Sequence, residues 1–150
     1  MNNGWKEKGY YYEVKKGDDG KEIERIKLRL LLDDAKKWAE KFVKARPELK
    51  SAQIRRFYHD VKALQAKIDA SGEGEKRILF EKNLPLIKML KSKVAYACPK
   101  TFSSRKVPME FREFMDACID GIDDQKDFEA FTLVFEAVVG YFYGEGGRQS

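Results

Sequence analysis

Asp116 and Asp120 stand one helical turn apart, and Asp123, Asp124 and Asp127 follow within seven residues. Carboxylate oxygens grouped in this way describe a divalent-cation site, and with it a metal-dependent nuclease built on Asp116, Asp120 and Asp124. A plainer reading fits the spacing better. Acidic side chains at a helix N-terminus offset its dipole, and helical carboxylates without a partner histidine form a solvated face or meet a basic face on a neighbouring subunit. An enzyme needs a base or a nucleophile placed near one; the single histidine, His59, is a thin supply, and there is no Walker loop, dinucleotide-binding glycine pattern, GxSxG or HExxH. Cys98 and Cys118 stand apart without a CxxC pair, so they signal neither zinc nor a disulfide and read as small buried side chains. These residues predict no enzyme, no cofactor, no metal and no small-molecule substrate.

The basic residues carry a stronger signal. The formal charge of +5 divides unevenly: residues 1–50 hold 14 basic and 10 acidic side chains, residues 51–107 hold 13 and 5, and residues 108–150 hold 3 and 10. No carboxylate occurs between Glu81 and Glu110, whereas Lys82, Lys88, Lys91, Lys93, Lys100, Arg105 and Lys106 all fall there. Such an interval suits a polyanion, because cations that neutralise several phosphates gain affinity from counterion release with little regard for sequence. Backbone binding of RNA or DNA is therefore the first reading. A protein scaffold, in which the basic stretch pairs with the acidic one of a neighbour, is the second.

These side chains need elements to position them. One hundred and fifty residues suffice for one core and predict a single domain. Residues 1–30 form a poorly defined arm, which reads equally as a hairpin around Asp19-Gly20 or as a mobile basic segment that orders on binding. From about Leu32 the apolar period becomes helical. A first helix carries Ala35, Trp38, Ala39, Phe42 and Val43 and ends near Ala45, before Pro47. Ser51 reads as the N-cap of a second, lined by Ile54, Phe57, Val61, Leu64 and Ile68 and stopped by Ser71 to Gly74. A third begins near Glu75 with Ile78, Leu79 and Phe80, is interrupted or restarted at Pro85 and runs through Ile87, Leu90, Val94 and Ala97 to Pro99. Lys100 to Val107 is expected to be an exposed loop, and Pro108 suits the first turn of a fourth helix bearing Phe111, Phe114, Met115, Cys118 and Ile119. Asp123-Asp124 open a fifth with Phe128, Phe131, Phe135, Val138 and Phe142 on one side, and residues 144–150 form a flexible tail. The expected fold is all-α, an antiparallel bundle of about five helices over residues 31–143. No apolar run approaches a membrane span and the first residues lack a secretory signal, so a cytoplasmic protein is expected.

On the second helix, Arg55, His59 and Lys62 share a stripe beside the apolar face, with Arg56 and Lys67 on the far, exposed side; on the third, Lys88, Lys91 and Ser92 share an edge next to Ile87 and Val94. Phe57, Tyr96 and Phe135 recur at helical spacing among aliphatic residues and are read as core.

Three segments, in this order, resemble a known family: Ser51-Ala52-Gln53-Ile54-Arg55-Arg56-Phe57-Tyr58, Leu90-Lys91-Ser92-Lys93-Val94-Ala95-Tyr96-Ala97, and Phe128 to Tyr141 ending Phe135-Glu136-Ala137-Val138-Val139-Gly140-Tyr141. They look like the "LRKFY", "LKPKLAYA" and "FEAIVAY" signatures of the small subunits of type III-A CRISPR interference complexes, over roughly residues 33 to 143. Two departures are Cys98-Pro99-Lys100, where the family often has Gly-Arg, and Gly140 in place of the more usual alanine. The resemblance implies a non-enzymatic subunit of an antiviral ribonucleoprotein, present in more than one copy, touching other subunits and itself, and contacting the duplex of guide RNA and target RNA. Carried over residue by residue, it implies roles for Arg55, Arg56, Lys91 and Lys93. With the spacing, the expected RNA-binding set is Arg55, Arg56, Lys62, Lys88, Lys91, Lys93, Lys100, Arg105 and Lys106.

Overall fold

The computed structural model describes residues 4–70 and 72–147. Expectations for residues 1–3, for Ser71 and for residues 148–150 of the tail lie outside the described residues. The chain starts not with a helix but with a three-stranded antiparallel sheet, β1 (Lys6–Lys8), β2 (Tyr12–Lys16) and β3 (Glu22–Ile26), in that order across the sheet. The all-α expectation is corrected accordingly: the protein is mostly helical with a small sheet at its N-terminus. Of the two readings of this region, the hairpin is the one that forms. Gly20 supplies the positive φ of its turn, the Gly17 amide donates to the Lys21 carbonyl at 2.8 Å, and the Asp19 carboxylate accepts the Lys21 amide at 3.0 Å.

Two tyrosines dock this sheet on the helices. The Tyr11 ring is fully buried and its hydroxyl donates to the Cys118 carbonyl, while the Tyr12 hydroxyl donates to the Lys126 carbonyl at 2.7 Å. Glu24 holds Lys8 at 2.6 Å and Lys126 at 3.1 Å, joining both outer strands to the last helix. Gly121 permits the approach, because a Cβ there would stand 2.7 Å from the Tyr10 side chain.

Seven α-helical segments follow: α1 (Leu28–Leu31), α2 (Asp33–Lys44), α3 (Ser51–Asp69), α4 (Glu73–Lys88), α5 (Leu90–Ala97), α6 (Met109–Asp120) and α7 (Gln125–Gly144). Lys50, not Ser51, holds the N-cap position of α3; Ser51 is the first helical residue and is buried. Pro85 is accommodated inside α4, and the chain breaks one turn later at Met89. There the Met89 amide reaches the Pro85 carbonyl at 2.9 Å and the next turn restarts from the Met89 carbonyl. Asp124 and Asp127 close a reciprocal capping box at the start of α7. Leu64 and Lys67 of α3 line one groove with Leu86 and Met89, and Arg56 and Phe57 line another with Ser92 and Tyr96, so α3 runs antiparallel to α4–α5.

The core is aromatic. Phe42, Phe57, Phe111, Phe114, Phe131 and Phe135 form a chain of rings 5.4–6.3 Å apart, assembled from α2, α3, α6 and α7. The helix α7 touches α1, α2, α3 and α4, as its run of apolar residues requires. Ile78 and Val107 are among the positions that depart from the expected pattern. Ile78 is exposed on α4, and Val107, placed by its neighbours in an exposed loop, is fully buried. Lys106 and Val107 amides both donate to the Ala97 carbonyl, which folds the end of the loop back against α5. Among the described residues, no helix is long and apolar enough to cross a membrane.

Candidate nucleic-acid interface

A furrow runs between α3 and α4–α5. At one end it is lined by Arg56 and Phe57 from α3, Lys93 and Tyr96 from α5, and Lys106 from the returning loop; at the other it continues past Lys67, Leu86 and Met89. The two halves meet at Asp60 and Lys93, which face each other at 3.8 Å. Among the described residues, Asp60 is the one carboxylate along this lining, against Arg56, Lys67, Lys93 and Lys106. Arg56, Lys67 and Lys106 have no ion-pair partner among the described residues.

The expected site residues divide by where the helices turn them. Arg56, Lys93 and Lys106 come together in the furrow. Arg55 and Lys62 are exposed on the other flank of α3, next to the side where Tyr58 packs on Phe135 and Gln65 reaches Thr132; the Arg55 guanidinium leans back on the Ser51 carbonyl at 3.4 Å. Lys88 and Lys91 turn to α6. The Lys88 ammonium donates to the carbonyls of Ile119 and Ile122 at 2.8 Å each, at the C-terminus of that helix. Lys91 pairs with Asp120 at 2.6 Å, and this carboxylate holds its ammonium above the ordinary lysine range. Arg105 donates to the Pro99 carbonyl at 2.8 Å and lies over the Phe102 ring, so it shapes the loop from which Lys100 projects, exposed. Arg55 and Lys91, chosen by both spacing and resemblance, therefore have different neighbours, Arg55 the Ser51 carbonyl of its own helix and Lys91 the Asp120 carboxylate of α6. Arg56 and Lys67, assigned to the far side of α3, border the furrow instead.

Tyr96 corrects the reading of the aromatics. Phe57 and Phe135 are buried, but Tyr96 is 83% exposed beside Arg56, Lys93 and Lys106. Its position contained the signal. Two residues from the buried Val94 it points about 200° away from it, on the side shared with Met89 and Lys93.

The carboxylates are occupied elsewhere. Asp116 lies 3.9 Å from Arg112, Asp120 holds Lys91, and Asp124 and Asp127 cap α7. Burial pushes Asp127 above the ordinary aspartate range, against two backbone amides that favour its charged form. No three His, Cys, Asp or Glu side chains among the described residues gather as metal ligands. Both cysteines are buried, and burial raises the Cys118 thiol to about 12.

Compared with known families, residues 25–147 match the one described as Csm2 Type III-A. The match takes in all seven helices and the end of β3, leaving β1 and β2 outside it. No curated protein and no solved structure matches the chain.

Proposed function

Because the chain belongs to the Csm2 Type III-A family, the small subunits of the type III-A CRISPR effector complex, we propose that it acts there without catalysis, binding the backbone of guide or target RNA and bridging neighbouring subunits. The observation that carries this reading is the furrow, where Arg56, Lys93, Lys67 and Lys106 meet a single carboxylate. Cations brought together without matching acids keep a positive potential that a phosphate backbone neutralises. Arg55, Lys62 and Lys100 extend the basic surface beyond it, and Lys88, Lys91 and Arg105 support the helices and loop that shape it. Contacts of this kind read charge and shape, not base identity.

A salt series separates the furrow from the rest. In anisotropy titrations with single-stranded RNA, Arg56→Ala/Lys106→Ala is expected to lower the slope of log affinity against log salt by about one to two units, each lost phosphate contact being worth roughly 0.7. Arg55→Ala/Lys91→Ala should change it less. An unaltered slope in the first variant would refute the furrow as the binding surface. A second reading, a protein scaffold with no RNA binding of its own, is favoured by Leu86 and Met89, both exposed at the other end of the furrow. It predicts self-association in sedimentation runs that Leu86→Ser/Met89→Ser weakens and that is indifferent to RNA.

A further inference from the structure

The ring of Tyr96 is 83% exposed and stands beside Arg56, Lys93 and Lys106 in the furrow, an aromatic face open among cations. These neighbours limit what can cover it. A protein surface laid over Tyr96 would have to bring carboxylates of its own to Arg56, Lys93 and Lys106, for which the furrow among the described residues offers only Asp60. A single-stranded nucleic acid meets both needs at once: its phosphates answer the cations and an unpaired base presents a flat face to the ring. A duplex answers the cations alone, since its bases are stacked on one another.

We infer that Tyr96 is a stacking platform for an unpaired base, so that this furrow takes single-stranded RNA in preference to duplex. The inference rests on the RNA-binding reading above and adds to it the class of RNA bound. The geometry suits the task. Tyr96 sits in the last turn of α5, next to the loop that returns Lys106 to the furrow, and α3 sets Arg56 across from it. The ring is thus flanked by cations on three elements and held on a short helix whose other face, Leu90, Val94 and Ala97, is locked in the core. Tyrosine at such a site is sequence-tolerant, because every base has a face to offer.

The test compares a labelled oligouridylate of about twelve nucleotides, a length within the usual site size, with an abasic strand of the same length and an RNA duplex, using the full chain at one fixed salt. The unaltered protein is expected to bind the base-bearing strand at least about five-fold more tightly than the abasic one, stacking being worth that much per base. Tyr96→Leu should erase this preference and leave abasic binding unchanged, Tyr96→Phe should keep it, and Arg56→Ala/Lys106→Ala should weaken all three ligands together. If Tyr96→Leu retains the full preference, the platform is refuted while RNA binding stands. If Tyr96→Leu leaves RNA binding untouched but reduces self-association in sedimentation, the ring is a protein contact and the inference is overturned. If the unaltered protein binds none of the three strands, the RNA-binding reading fails and the platform with it.

Discussion

The ammonium of Lys88 gives its protons to two carbonyls at the end of α6, whereas the guanidinium of Arg56, in the same basic stretch of the sequence, faces an open furrow. Charge along the chain does not distinguish them; what each side chain already touches does. Lys88→Met should lower stability by about 1–3 kcal/mol, the range for charged hydrogen bonds lost at a part-buried site, with RNA affinity nearly unchanged. Chemical denaturation beside an anisotropy titration checks both halves. A large loss of affinity with stability intact would return Lys88 to the binding surface. Tyr96 teaches the same lesson in the opposite direction. Its aliphatic neighbours Val94 and Ala97 suggest core, and only the phase of α5, fixed after the break at Met89, turns it outward.

At the scale of elements, α7 was the most legible. Phe128, Phe131, Phe135, Val138 and Phe142 recur at helical spacing and are all buried, and Asp124 stands where a cap is needed. The helix contains one weak position. Gly140 is exposed, and a Cβ built there meets nothing within 4 Å. Gly140→Ala should therefore raise stability by about 0.5–1 kcal/mol, the cost of glycine in a helix interior, seen as a rise of about 1–4 °C in thermal unfolding. Other elements were hidden for physical reasons. Strand β1 is three polar, exposed residues, Lys6 to Lys8, with no alternation to betray it, and it pairs with β2, whose Tyr12 bonds to the start of α7. Val107 is buried by two amides reaching back to Ala97, a contact that composition cannot show. The furrow was hidden likewise, because it joins α3, α5 and a loop, and no single helix wheel contains it.

Across the whole molecule, Glu24 is one point where sheet and helices are joined electrostatically, through Lys126 of α7; Glu7, paired with Arg29 of α1, is another. Hydrogen bonds from Lys8 and then Lys126 hold the Glu24 carboxyl below the ordinary 4.5. Its stabilising contribution is complete above that value and is lost as pH falls through the lower, folded one. Glu24→Gln should thus lower the unfolding midpoint by about 1–4 °C at about pH 7, two part-exposed ion pairs being worth about 1 kcal/mol. The gap to the unaltered protein should close in acid, once the pH has fallen below the lowered folded value. A gap that persists in acid would show that the ion pairs do not carry it. The docking of Tyr11 and Tyr12 has a further consequence, in time. Their hydroxyls bond to carbonyls 107 and 114 residues later in the chain, so the first strands to leave a ribosome reach their seat only after α6 and the start of α7 have been made. At about 5–20 residues per second that interval is about 5 to 20 seconds, during which the two tyrosines have no seat to cover them.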